Sequence, residues 1–331
     1  MSVTVTIKAF NEEAHIAEAI ESALAAVAEL GGGEVVLADC ASTDATRDIA
    51  SRYPVRILCL DVPEERSCGA GAQLAYQAVK TEYFYLMDGD MALVPGFLPR
   101  ALAWLQEQPE FAGVGGNVKD RYLDNAEFLI REASLAREAH RRAGPVDRLD
   151  GGGLYRTAAI EQIGYFADPA LRSYEEFELA ARLSGAGWKL ARIDADAVLH
   201  SGHRIDGLSL MWFRFRSGQM GGVGSLLRAA LGKAHLRYTL SHLRQVRALA
   251  AILAWWVVLL VAVIAGLHLA AAILLAIPLC FLAVRRRSLF LGLYSFAYWN
   301  LTGVAVLRSF LARRGPRAGR KQVSYSVVQD G

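Results

Sequence analysis

At 331 residues the chain can bury a substantial core in one large domain or two ordinary ones, and its formal net charge of +3 conceals two opposed parts. Residues 207–331 carry 16 Lys and Arg and one acid, Asp330, which leaves 20 basic and 32 acidic residues in 1–206, a net of −12. Cys40, Cys59, Cys68 and Cys280 have no metal-ligand spacing and are expected as free thiols, which excludes a zinc module and a disulfide framework.

The N-terminus "MSVTVTIKAFNEE" lacks the apolar core of a signal peptide and reads as a first strand, "VTVTIKAF". "EEAHIAEAIESALAAVAEL" follows with apolar residues at helical spacing and ends at Gly31-Gly32-Gly33. "EVVLADC" is a second strand, and "STDATRDIASRY" opens a second helix with Ser42 or Thr43 as N-cap. "VRILCLD" is a third strand, "AGAQLAYQAVK" a helix, and "YFYLMD" a fourth strand. Strands alternating with helices predict an α/β domain with a mainly parallel sheet, covered on both faces. In such sheets ligands bind beyond the carboxyl ends of the strands, where this sequence places Asn11, Glu12, Asp39, Asp88 and Asp90.

The fourth strand ends in "DGDM", two aspartates separated by Gly89. Asp88 and Asp90 repel each other, so the pair either chelates a divalent cation on a diphosphate or caps the next helix. Further on, "LDGGGLYR" (149–156) has three glycines where backbone turns sharply or something approaches closely. "RSYEEFELAARL" opens a helix with Glu175 and Glu176, whose ionised form the helix dipole favours, either as a solvated acid cluster or as a general base. His200 and His203 follow the strand "DADAVLH", placed to complete a metal sphere or simply to be hydrogen-bonded.

The back of the chain belongs to a membrane. From Ala248 to Val284 there is no charge apart from a protonated His268, which fits two spanning helices turning near Gly266. Arg244 and Arg247 before it and Arg285–Arg287 after it place both ends in the cytoplasm. Residues 288–311 form a third apolar stretch with Asn300 and Arg308 inside it, read as an interfacial, re-entrant or third spanning helix. Residues 207–247 mix Trp, Phe, Leu, Arg and Lys as basic amphipathic helices on an anionic membrane do, and long apolar interruptions make membrane lipids, not nucleic acid, their partner. The expected organisation is therefore 1–206 catalytic, 207–247 interfacial, 248–312 membrane and 313–331 a flexible basic tail.

The pieces "IKAFNEE", "ADCASTDAT", "YLMDGDM", "GGGLYR" and "SYEEFELAARLSGAGW", in this order, resemble family 2 glycosyltransferases with the GT-A fold over roughly residues 3–200. The resemblance implies a Rossmann-like, mainly parallel sheet and inverting transfer from a nucleotide-diphosphate sugar, with Mn²⁺ or Mg²⁺ as cofactor. It places Phe10, Asn11, Glu12, Asp39, Gly69 and Asp88 at the nucleotide sugar, and Asp90, Asp88 and His200 at the metal. Glu176 takes the position of the base, and Gly152, Gly153, Arg156 and Glu175 border the acceptor. Where many members have Pro, this chain has Lys8, and Ala72 and Gln73 replace a common Arg-Asn pair. "WFRFRSGQ" (212–219) lacks the Q-x-x-R-W pattern of processive synthases. The membrane segment implies a lipid-linked or amphiphilic acceptor, a cytoplasmic catalytic domain and an inner-membrane location. The rival readings are a polyprenyl-phosphate sugar synthase, whose phosphate nucleophile needs no base, and a non-catalytic nucleotide-sugar-binding scaffold.

Overall fold

The computed structural model describes residues 3–121, 139–202, 206–312 and 322–331. They divide into two compact units, one holding the described residues up to 202 together with 322–331, the other holding 206–312. His203, singled out above, lies outside the described residues.

In chain order the first unit runs β1 (Val3–Ala9), α1 (Ile16–Glu29), β2 (Glu34–Asp39), α2 (Thr46–Ala50), β3 (Arg56–Leu60), α3 (Cys68–Gln77) and β4 (Tyr83–Asp88). It continues with β5 (Met91–Leu93), α4 (Phe97–Glu107), β6 (Phe111–Asp120), β7 (Gly144–Val146), β8 (Gly153–Arg156), α5 (Thr157–Ile163), α6 (Glu175–Gly185) and β9 (Lys189–His200). After the second unit the chain returns to add β10 (Tyr325–Gln329). The described strands form one sheet in the order β10-β3-β2-β1-β4-β8-β6-β9-β5, with β7 alongside β9. β3, β2, β1 and β4 are parallel, whereas β8 runs antiparallel to β4 and β6.

The two-residue period of each strand sorts its side chains onto two cores. Val3, Val5 and Ile7 of β1, Val35 and Leu37 of β2, and Tyr83, Tyr85 and Met87 of β4 pack against α1 and α4. Val36, Ala38, Phe84 and Leu86 face the opposite core with α3, α5 and α6. A sheet buried on both faces keeps its carboxylates at and just beyond the strand ends, and that favours chemistry there.

Three expectations shift. α1 begins at Ile16, not at Glu12, and no side chain caps it. Neither Ser42 nor Thr43 caps α2; Asp44 accepts the Thr46 amide at 3.0 Å instead, while Ser42 Oγ accepts the Asn11 amide at 2.9 Å. The tail expected to be flexible is ordered over 322–331. β10 pairs antiparallel with the edge strand β3, and Gln77 exchanges two hydrogen bonds with the Val323 backbone at 3.0 and 2.7 Å. An uncovered β3 would present a row of unpaired amides and carbonyls. All four cysteines are free.

The second unit contains α7 (Gly207–Ser217), α8 (Gly222–Ala230), α9 (Leu236–His242), α10 (Arg244–Ile264), α11 (His268–Arg286) and α12 (Leu289–Leu311). Gln245–Ile264, His268–Arg286 and Leu289–Leu311 are each long and apolar enough to cross a membrane. Asn300, polar in an apolar helix, accepts the Trp256 indole N–H at 2.8 Å and donates to the Phe296 carbonyl, so its amide is satisfied within the bundle. Gly221 and Gly224 let the start of α8 approach the backbone of α12 at Ala305 and Val306. On α7, Leu208, Trp212 and Phe213 are exposed beside Arg214 and Arg216.

Candidate active site

The carboxyl ends of β1 and β4 lie side by side, with Lys8 opposite Asp88 in register. Immediately beyond, Gly89 donates to the Lys8 carbonyl at 2.9 Å. A β-carbon on Gly89 would lie 3.0 Å from both Ala9 Cβ and Glu12 Cγ, so glycine is what lets the chain pass between Asp88 and Asp90 beneath Glu12.

Lys8 is the centre of this edge. Its Nζ lies 3.1 Å from Asp88 Oδ1 and 3.0 Å from Glu175 Oε1, with the lysine and Glu175 side chains 13% and 5% exposed. Burial opposes its charge, but the carboxylates of Asp88, Glu175 and Glu176 more than offset this and hold Lys8 well above the ordinary lysine range. Glu175 and Glu176 are the first two residues of α6, which follows Tyr174 in the left-handed region at φ +67°. Glu176 is half-buried, and burial together with the Glu175 charge raises it to about 8, although Lys8 pulls the other way.

Asp90 faces a different cation. His200, at the end of β9 and paired with Met91, brings Nε2 to 3.2 Å from Asp90 Oδ2 and Nδ1 to 2.5 Å from Asp120 Oδ1. Burial alone would lower its pKa; the hydrogen bonds to Asp120 and Asp90 raise it to about 9, so the ring is an imidazolium at neutral pH. Asp120 was not anticipated, and its only signal was an acid closing the strand "GNVKD". Glu12 is pushed up to about 8 by burial and by the charges of Asp90 and Asp88, which the opposing charge of His200 does not offset.

Around the end of β2 the roles differ from expectation. Asp39 is fully buried, and its carboxylate accepts the Ser42 amide at 3.2 and 3.1 Å behind Arg47. Asn11, at φ +56°, accepts the Thr43 amide at 2.8 Å and so ties the loop after β1 to the loop after β2. The Arg66 guanidinium stacks on Phe10 at 3.6 Å, and its Nη1 is buried without a hydrogen-bond partner.

Two sites move away. Gly69 was placed at the nucleotide, but a β-carbon there would lie 2.1 Å from the Asp168 carbonyl, and its N–H donates to Leu171 O; the protein's own backbone takes that space. Arg156 was placed at the acceptor, but antiparallel pairing puts it opposite Tyr83 at the start of β4, about 16 Å along the strand from Asp88. There it donates to Tyr83 Oη and Leu105 O. Gly153 pairs with Leu86 and Gly152 lies against the Leu86 carbonyl, near the chemical end of β4.

Two carboxylate pairs, one at and just past a strand end and one on a helix start, meet at one edge of a mixed sheet. The fold is that of GT-A glycosyltransferases. Residues 4–163 match the sequence model of the family described as Glycosyl transferase family 2, and this unit is a family 2 glycosyltransferase domain. Among solved structures, the chain is similar to the mannosyltransferase PcManGT from Pyrobaculum calidifontis in complex with GDP-Man and Mn²⁺. The TM-score is 0.63 at 21% identity, over 92% of this chain and 86% of that one. It is also similar to S. aureus TarS 1-349, with a TM-score of 0.51 at 17% identity, over 74% and 73%. At these identities the likeness concerns the fold. Comparison with curated proteins gives no match.

A folded-state pKa near 9 against 6.5 unfolded means that the His200 charge stabilises the domain fully below pH 6.5, and that this contribution is lost as pH rises through 9. In urea titrations with chelator present, the wild type should lose about 2–3 kcal/mol between pH 6.5 and 9.5 that His200→Gln does not lose. Parallel pH profiles for the two proteins would reject the imidazolium.

Proposed function

We propose that this glycosyltransferase transfers a sugar from a nucleotide diphosphate to a hydroxyl of a membrane-associated acceptor, with a divalent cation at Asp90. The observation that carries the reading is the division of carboxylates at the sheet edge. Asp88 and Asp90 end β4, while Glu176 stands at the start of α6 with no side-chain partner among the described residues.

Among the described residues no group of three or more His, Cys, Asp and Glu side chains encloses a metal by itself. A diphosphate-bound Mg²⁺ or Mn²⁺ needs only one or two carboxylates, its other ligands being phosphate oxygens and water. Asp90 with Asp88, or with His200 once its proton has left, fits that donor set, and Glu12, raised first by burial and then by the charges of Asp90 and Asp88, shifts in the direction a nearby cation would reverse. When bound, the cation supplies Lewis-acid stabilisation to the leaving diphosphate. Phe10 and Arg66 form a stacked platform with a spare guanidinium N–H for the nucleotide, and Asp88 accepts from ribose hydroxyls. Glu176 takes the proton of the acceptor hydroxyl as its oxygen attacks the anomeric carbon, and the C–O bond to the diphosphate breaks with inversion.

The charge of the site favours a neutral acceptor over a phosphate. Glu175, Glu176 and Asp88 surround one cation, Lys8, which already neutralises two of them. A lipid phosphate would meet net negative charge there. Membrane helices and the exposed Trp212 and Phe213 beside Arg214 and Arg216 support an amphiphilic acceptor taken from the bilayer surface. The location follows from connectivity. The chain leaves the catalytic sheet after β9 and rejoins it at β10, so it crosses the membrane an even number of times in between. With α10 and α11 as a hairpin, α12 lies in the interface, and Arg247 and Arg285–Arg287 keep both hairpin ends in the cytoplasm.

Calorimetric titration of UDP and GDP into the detergent-purified protein should show binding of one of them that needs Mn²⁺ and is lost in Asp90→Ala; binding of neither by folded protein would defeat the donor site. Glu176→Gln should lower kcat by about 10²–10⁴-fold and remove a rise in rate with pH that levels off near 8. Near-normal turnover in that variant would instead identify a phosphate nucleophile. Single cysteines at 267 and 331, probed in whole cells with an impermeant maleimide, should label at 267 and stay protected at 331; labelling at 331 would make α12 a third span.

A further inference from the structure

Resting on the donor-and-base reading above, we infer that Lys8 is a positioning residue that withdraws one carboxylate from each pair, Asp88 from the strand end and Glu175 from the helix start, and thereby assigns Asp90 to the cation and Glu176 to the acceptor. The two carboxylate pairs are chemically alike, so each pair contains two candidates for its role. The geometry removes the ambiguity. Lys8 reaches Asp88 Oδ1 at 3.1 Å and Glu175 Oε1 at 3.0 Å, within ion-pair distance of both, and it is anchored on the central strand β1. Its side chain is 13% exposed, and Gly71 of α3 leaves room for the stem, a β-carbon there lying 3.6 Å from Lys8 Cβ and 3.9 Å from Cδ. Asp90 is held by His200, and Glu176 makes no ion pair with Lys8 among the described residues, although the ammonium charge still acts on it.

A fixed ammonium and a metal ion compete for the same oxygen. With Oδ1 paired to Lys8, Asp88 keeps only its other oxygen and a reduced negative charge for a cation, so the protein-held part of the metal site rests mainly on Asp90. Metal affinity without nucleotide is therefore weak, and the cation arrives with the diphosphate that supplies the remaining oxygens. On the other side, Lys8 fixes Glu175 and with it the first turn of α6, so Glu176 presents its carboxylate to the acceptor from a rigid support.

The test reads Mn²⁺ binding to the full-length, nucleotide-free protein from the loss of the free-ion EPR signal, with turnover measured separately. Lys8→Met keeps the length and apolar stem of the side chain and frees Asp88. It should bind Mn²⁺ at least fivefold more tightly than wild type while turning over at least 100-fold more slowly. Adding Asp88→Asn to Lys8→Met should return the Mn²⁺ affinity to the wild-type level. A variant damaged only in its folding would lose metal affinity rather than gain it. Independently of that variant, Asp88→Asn alone should change Mn²⁺ affinity less than twofold, whereas Asp90→Asn should abolish it. Equal or weaker Mn²⁺ binding by folded Lys8→Met, or a large loss in Asp88→Asn alone, would overturn the assignment. Failure of the donor-site reading is separate: there, wild type binds neither UDP nor GDP with Mn²⁺, and the gain in Lys8→Met is still measurable.

Discussion

Glu12, Asp88, Asp90, Glu175 and Glu176 are brought to one end of one sheet, where like charges a few ångströms apart repel by about 3–4 kcal/mol per pair in a half-shielded setting. The fold meets that repulsion with two cations of different character. Lys8, buried on β1 and permanently charged, binds Asp88 and Glu175. His200, on β9, carries a proton that it can release, and it is shared between Asp90 and Asp120. The carboxylates left over, Glu12 and Glu176, are those raised to about 8. An edge that is not fully neutralised by its own cations is electrostatically incomplete, and under the function proposed above a cation with a diphosphate would complete it.

The sheet makes this concentration affordable. Parallel strands with both faces buried leave their ends as the place for charged side chains, and β1 and β4, adjacent and in register, end together. The glycine between the two aspartates, the positive φ of Asn11 and of Tyr174, and the Asp44 cap on α2 are local devices that hold the loops at that edge. At the far end of the same strand Arg156 bonds to Tyr83 and Leu105, a purely structural use of an arginine 68 residues from Asp88 in sequence and in the same sheet.

This contrast shows what was legible in the sequence. Alternating apolar strands and amphipathic helices revealed the α/β architecture, because burial on two faces writes itself into a local period. "DGDM" and "YEEFE" stood out because each keeps its chemistry within a few residues. Arg156 and Gly69 were misplaced because their neighbours are set by antiparallel register and by the 168–171 segment, neither of which has a local signature. The same holds for β10, whose partner β3 lies some 265 residues away and whose basic approach, rich in Arg and Gly, reads as a solvated tail. Lys8 was visible as a departure from the usual proline, but its partners at 88 and 175 were not.

The return of the chain to the catalytic sheet has a mechanical consequence as well as a topological one. Enzymes that take an amphiphilic acceptor from a bilayer must hold a water-soluble donor site near the surface without burying it. A segment that leaves the sheet at β9 and rejoins it at β10 connects the domain to the helical unit at two points instead of one. Two covalent tethers restrict rotation of the domain about its linker far more than one does, since each fixed end removes freedom that a single flexible connection keeps. The β10–β3 pairing, backed by Gln77 on Val323 and by Gln329 on the carbonyls of Tyr53 and Val55, is what converts the second tether from a loose tail into an anchor. On this argument the C-terminal strand serves as a second attachment point, and stability of the β3 edge is the means by which it does so.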